Sequence, residues 1–381
     1  MTIFLIGCGR LGFDASAHVD AQSSSEAASD AGPNTLANAM PCSSPVLLDA
    51  GGHLPHDVLI WVNDTRGDWL VGVEHMSQDV HRILRHPITV GSTGLVAGAA
   101  ELIVAVDHVD VMHVEPVAGG YVLGYNEFVL ATGFTMLMAP GVVEIASRPL
   151  GMLASGNPPL ARAGAGGLAM IGLTSNALQV IGIGEDGAPT GKSNQLATPA
   201  EGAALPAMVA LDDGLAVVWH SDARGVCRLA TLNADLTLAK GPVDMAVSGC
   251  ADAHVAWLPQ SRRIIVVADD TTHGTIAGGV WDENLTPVTP PAMLAPSAQW
   301  GRIVGDGDGA WLAWVENDSV PKVRYARLDH DGRVTVMSDP IGQLDDSLGH
   351  YHTLQHVGSS AVVLWTDATA GRTFSAMRLC Q

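Results

Sequence analysis

The chain has 381 residues, of which 47% are hydrophobic and 15% charged, enough apolar material for a large core, and no stretch reaches the ~18–20 apolar residues of a membrane-spanning helix. Only 5% are aromatic, while 43 are glycine and 21 proline, which suits many short strands better than a helical protein. A formal net charge of −20 disfavours nucleic acid and anionic lipid surfaces, both of which attract positive fields.

At the start of the chain, Leu5-Ile6-Gly7-Cys8 resembles the lipobox of bacterial lipoproteins, where a small residue precedes the cysteine that is cleaved and lipidated. The resemblance covers this end only. It implies export, lipidation at Cys8, and residence at the outer membrane, periplasm or cell surface, with acyl groups as the sole membrane contact. Residues 1–7 contain no Lys or Arg, whereas a signal peptide has a basic start and ~7–15 apolar residues. We therefore expect the signal to begin upstream of Met1, with residues 1–7 as its remnant. Residues 8–43 are rich in Ala, Ser and Asp, including Ser23-Ser24-Ser25, and read as a flexible tether.

Residues 44–381 carry a repeat of roughly 48 residues, with anchors at Val73, Ile171, Trp219, Val267, Trp314 and Trp365. The clearest unit has strand-like runs at 205–211, 215–220, 226–232 and 243–247. They are separated by Asp212-Asp213-Gly214, a loop at 221–225 and Asn233-Ala234-Asp235. Arg228-x-Ala230-x-Leu232-Asn233-x-Asp235 matches Arg324-x-Ala326-x-Leu328-Asp329-x-Asp331 position for position. Residues 95–150 fit least well: runs at 102–106, 121–125 and 128–131 look like strands without a clear assignment. Four-stranded units at this period resemble those of propeller-repeat (WD40-like) proteins. The resemblance implies an all-β, seven-bladed β-propeller of four-stranded antiparallel blades. The last unit stops after three strands, and stepping back seven periods lands on Val46-Leu47-Leu48. This N-terminal strand is expected to complete the last blade and close the ring. That register selects Cys42–Cys380 and Cys227–Cys250 among the three pairings open to four cysteines.

Candidate function sits in the loops. On the face where each blade joins the next, His53, His56 and Asp57 lead into the first blade, with His75 nearby. Asp345, Asp346, His350 and His352 lead into the last blade, and the first and last blades are neighbours in a closed ring. Imidazole with carboxylate suits a metal or polar ligand, but no ligand spacing is diagnostic, and neither a metal nor a cofactor is specified. Asp222, Asp270, Asp318 and Asp367 recur near the same face, as turn residues often do. Asp306-Gly307-Asp308-Gly309 and Arg66-Gly67-Asp68 occupy hairpin turns. No Ser-x-Asp-x-Gly-x-Thr-Trp box, Gly-x-Ser-x-Gly elbow or Gly-rich phosphate loop is present. The expectation is a monomeric, non-catalytic binding module for a protein or glycan. Its alternative is a metal-assisted hydrolase or ligand site at the His/Asp mouth.

Overall fold

The computed structural model describes residues 40–380 except 41, 43, 50–56, 65–66, 76–80, 91–94, 107–108, 110–111, 118–119, 128–131, 139–147, 155–159, 165–166, 176, 248, 345–351, 358–359 and 368–372. The lipobox, with Cys8, and nearly all of the tether lie outside these residues. The strands form seven antiparallel four-stranded blades. Their innermost strands are, in chain order, Asp57–Asp64, Met112–Val117, Leu160–Arg162, Ala203–Leu211, Cys250–Leu258, Ala298–Asp306 and His352–Val357. Each lies beside the next, and the seventh lies beside the first, so the ring is closed.

The core follows from that arrangement. A blade presents two apolar faces, and each is buried only by a neighbouring blade. Among the described residues the buried side chains form seven apolar clusters, one per seam between adjacent blades. The seam between blades seven and one includes Trp61, Leu70, Leu364 and Phe374, so the closure is packed like any other seam.

Turn chemistry fixes the hairpins. In the outer turns, Asp282 Oδ1 accepts the N–H groups of Asn284 (2.9 Å) and Thr286 (2.8 Å), and Asp329 Oδ1 accepts those of Asp331 and Arg333 (both 2.9 Å). Leu236, Leu285 and Gly332 then take left-handed backbone (φ 70°, 61° and 76°). Such a conformation costs a leucine roughly 1–2 kcal/mol, and burial of Leu236 and Leu285 in the seams offsets it. In the inner turns aspartates anchor indoles: Asp68 accepts Trp61 Nε1 (2.8 Å), Asp212 accepts Trp257 Nε1 (3.0 Å) and Asp306 accepts Trp311 Nε1 (3.0 Å).

Val46–Asp49 pairs antiparallel with Thr373–Leu379, with Val46 opposite Ala376 and Leu48 opposite Phe374, and so completes blade seven. Beside it Cys42 is bonded to Cys380 (Cα–Cα 5.4 Å). Cys227, on the third strand of blade four, is bonded to Cys250 at the start of blade five (Cα–Cα 5.6 Å). Both pairings match the sequence expectation. Two disulfides fit an exported chain, and no helix among the described residues is long and apolar enough to cross a membrane.

Three details differ from the sequence expectation. Leu95–Ala97 pairs with both the third strand of blade one and the closing strand, which joins blades one and seven into one sheet. In the 95–150 region, Glu101–Val106 is the fourth strand of blade one, and Met112–Val117, Gly120–Glu127, Thr132–Met138 and Arg148–Pro149 build blade two. The run at 128–131 lies outside the described residues. The anchor column also shifts. Counted from the residue that closes the first hairpin (Gly120, Gly214, Arg263, Gly309, Ser360), the sixth positions are Tyr125, Trp219, Ala268, Trp314 and Trp365. Val267 falls one residue before this column, in the blade with the longer first turn between Leu258 and Arg263, and Val73 falls one residue after it.

Candidate functional site

The innermost strands of blades one, four, five and six each slip register near their start, between Asp57 and Ile60, Ala204 and Ala207, Ala251 and His254, and Gln299 and Arg302. Leu205, Asp252 and Trp300 sit in three of these bulges with φ of 46°, 40° and 55°. Bulges re-aim side chains, and in blades five and six they bring charged groups together. Arg302 Nη1 donates to Asp252 Oδ2 (2.7 Å) and lies 2.6 Å from His254 Nε2, so His254 acts there as an acceptor. Asp269, on the second strand of blade five, accepts the N–H groups of Trp300 (2.7 Å) and Gly301 (3.2 Å) and so clamps the bulge of blade six.

The electrostatics of this cluster follow from burial and from the Arg302 charge. Burial opposes the charge of Asp252, but Arg302 and then His254 more than offset it and hold the carboxyl well below the usual range. Burial and then the Arg302 charge lower His254, so it is neutral. Burial raises Asp269 to about 6 against the two backbone donors. His352 opens the innermost strand of blade seven and is 5% exposed. Burial, then Arg302, lowers it to about 3. Neither ring nitrogen has a partner in hydrogen-bonding geometry, although the Ala313 carbonyl lies close enough to favour the protonated ring slightly.

Of the residues singled out from sequence, His352 alone enters this cluster as a described side chain. His53, His56, Asp345, Asp346 and His350 lie outside the described residues, and for Asp57 and His75 only the strand positions are described. Among the described residues no group of three His, Cys, Asp or Glu side chains is arranged to hold a metal. The recurring aspartates serve their own turns. Asp222 meets His220 Nε2 (3.0 Å), Asp270 caps Thr272 and His273, and Asp318 holds Ser319 N–H and Lys322 Nζ. Asp367 ends its strand.

Sequence reasoning missed Asp252, His254 and Arg302, whose shared position appears only once the bulges are known. It also missed His113 and Glu115, two residues apart on one face of the innermost strand of blade two. Their Nε2 and Oε2 atoms are 3.9 Å apart. Burial lowers His113 to about 4; burial raises Glu115 to about 7, opposed by Arg162. At the opposite end of blade six, its inner and outer turns and the inner turn of blade five wall a cavity of about 660 Å³.

Two solved structures align over most of the chain. One is a Dos1 propeller (TM-score 0.50, 9% identity, covering 87% of this chain and 86% of that one). The other is the β-propeller domain of Myceliophteria thermophila Cps50 (Swd1) (TM-score 0.50, 9% identity, covering 85% and 97%). No protein family and no curated protein matches the chain. At this identity the likeness establishes the fold alone. The chain is a seven-bladed β-propeller.

Proposed function

We propose that the chain is a non-catalytic binding module, held at the bacterial cell envelope by acyl groups on Cys8 and acting as a monomer on a protein or glycan partner. The observation that carries this reading is the polar network at the centre of the ring. Asp252 and His254 both engage Arg302 Nη1 across blades five and six, Arg302 Nε is buried with no hydrogen-bond partner, and His352 is buried beside them. Such groups lock blades in register and are poorly placed to exchange protons with a substrate. What is left to a partner is a rigid ring with loop-rich ends. The lipobox-like start and the two disulfides support export.

The test expresses the chain in bacterial cells behind a lipoprotein signal peptide. Intact cells should yield acyl-modified Cys8, and the purified protein should sediment saturably with isolated envelopes. Unmodified cytoplasmic product, or no saturable binding, defeats the proposal. A second reading, acid–base chemistry, is favoured by the adjacent His113 and Glu115 with their oppositely displaced pKa values. Metal-dependent hydrolysis remains tied to the mouth residues, and stoichiometric transition metal lost on His350→Ala and His352→Ala would favour it over binding.

A further inference from the structure

The cavity at the lower end of blade six lies at the opposite end of that blade from the joining-loop face. Three turns build it: the inner turn of blade six at 306–309, its outer turn at 329–332, and the inner turn of blade five at 259–262, which supplies Gln260. Its volume of about 660 Å³ falls within the range of small-molecule sites. The floor is rigid. Arg327 lies over the Trp311 ring, 5.1 Å from its centroid, and Trp311 meets Tyr325 edge to face at 5.9 Å. Arg327 Nη2 donates to the Asp306 carbonyl (3.0 Å), while its Nη1 is buried with no hydrogen-bond partner. Gly309 permits this packing, since a Cβ there would come within 2.9 Å of the Arg327 guanidinium.

The walls differ in kind from the floor. Gln260, Asp308 and Val336 are exposed, and His330 is half-buried with Nδ1 3.2 Å from Asp308 Oδ2. Planar groups that donate and accept therefore surround a floor with half-buried aromatic surface. An anion meets the two carboxylates of Asp306 and Asp308, which outnumber the single guanidinium of the lining. That guanidinium is itself packed on the indole and held by the Asp306 carbonyl, with its buried Nη1 unpaired. A cation meets Arg327 on the floor. A wholly apolar ligand would strand Gln260, Asp308 and His330 without water. The chemistry that fits all sides is neutral, with hydroxyls that both donate and accept and an apolar C–H face for Tyr325 and Val336.

We propose that this cavity is a binding site for a neutral saccharide, with Asp308, Gln260 and His330 reading hydroxyls and Tyr325 supporting a sugar ring. The proposal rests on the binding-module reading and gives it a ligand class.

The test titrates the full chain with maltose, cellobiose, lactose and N,N′-diacetylchitobiose, with galacturonate and glucosamine as charged counterparts, by calorimetry. At least one neutral disaccharide should bind with a Kd below about 1 mM, and neither charged sugar should bind more tightly. Asp308→Asn and Gln260→Ala are exposed changes that leave the fold intact, and each should weaken binding at least tenfold. Asp213→Asn, in the equivalent turn of blade four, should leave it unchanged. No binding by any neutral sugar, binding that survives both pocket variants, or a preference for a charged sugar overturns the proposal. If envelope sedimentation persists in Asp308→Asn and Gln260→Ala while no sugar binds, the saccharide site falls and the binding module stands. If envelope sedimentation is itself absent, the broader reading falls, and the sugar titration still decides the site.

Discussion

Blades four to six and blade two have the same strand pairing but build it from different residues. Blades four and six put Trp219 and Trp314 at the sixth position of the second strand, both fully buried. In blade four Arg228 lies 5.7 Å from the centre of the Trp219 ring. Blade two has Tyr125 there, stacked on Phe134 at 5.5 Å, and among the described residues its outermost strand is Arg148–Pro149. The seam must be filled, but not always from this position: blade five has the small, fully buried Ala268 there. A repeat is visible where blades reuse one residue, as with Trp219, Trp314 and Trp365, and it fades where they do not.

The comparison can be broken at the closure first. Replacing Cys42 and Cys380 by Ala removes a link between residues 338 apart, which in the chain-entropy model stabilises by on the order of 5 kcal/mol. Replacing Cys227 and Cys250, 23 residues apart, should cost about 3 kcal/mol on the same scale. Denaturant unfolding of the two double variants orders them, and equal losses would mean that loop length does not govern closure.

Next in size is the plug itself. Trp314→Ala should cost about 3–5 kcal/mol. Tyr125→Ala should cost as much, since Tyr125 is equally buried between blades one and two. Unfolding midpoints with unchanged denaturant slopes check both. A tyrosine variant with wild-type stability would mean that blade two is not packed as a full member of the ring.

A smaller effect concerns pH. His352 has a folded pKa of about 3 against an ordinary value of 6.5, so between those values the unfolded chain binds a proton that the folded chain refuses. Its contribution is fully present above pH 6.5 and is lost as pH falls toward 3. Asp269, raised to about 6, works in the opposite sense, so the two are separated by mutation. His352→Gln should flatten the fall in stability between pH 6 and pH 4 measured by thermal unfolding; an unaltered slope would show that His352 is not held neutral. Smallest, Asp329→Ala removes the acceptor for two backbone donors in an exposed turn and should cost about 1 kcal/mol.

Much of the fold was legible in the sequence because strand ends are written in turn residues. Asn233, Asp282 and Asp329 mark the same turn in three blades, and Cys42 with Cys380 marks the closure. The site was less legible. Asp252, His254 and Arg302 lie at no constant spacing, and only the bulges of two blades bring them within 3 Å of one another through Nη1 of Arg302. His352 reads as a solvent-facing loop ligand in sequence, yet the first strand of blade seven begins at that residue and buries it. Tyr325 and Arg327 alternate along a strand like any other pair, and nothing in that pattern marks a cavity wall.

The central claim is that the polar network at the middle of the ring holds blades together and carries no chemistry. Arg302→Met tests it most directly, since it removes the one cation that neutralises Asp252. Breaking this partly buried pair should destabilise the fold by less than the ~3–5 kcal/mol of a fully buried one, on the order of 2 kcal/mol, while the protein that remains folded sediments with envelopes as tightly as wild type. Full stability together with lost binding would contradict the account and place Arg302 in the binding site itself.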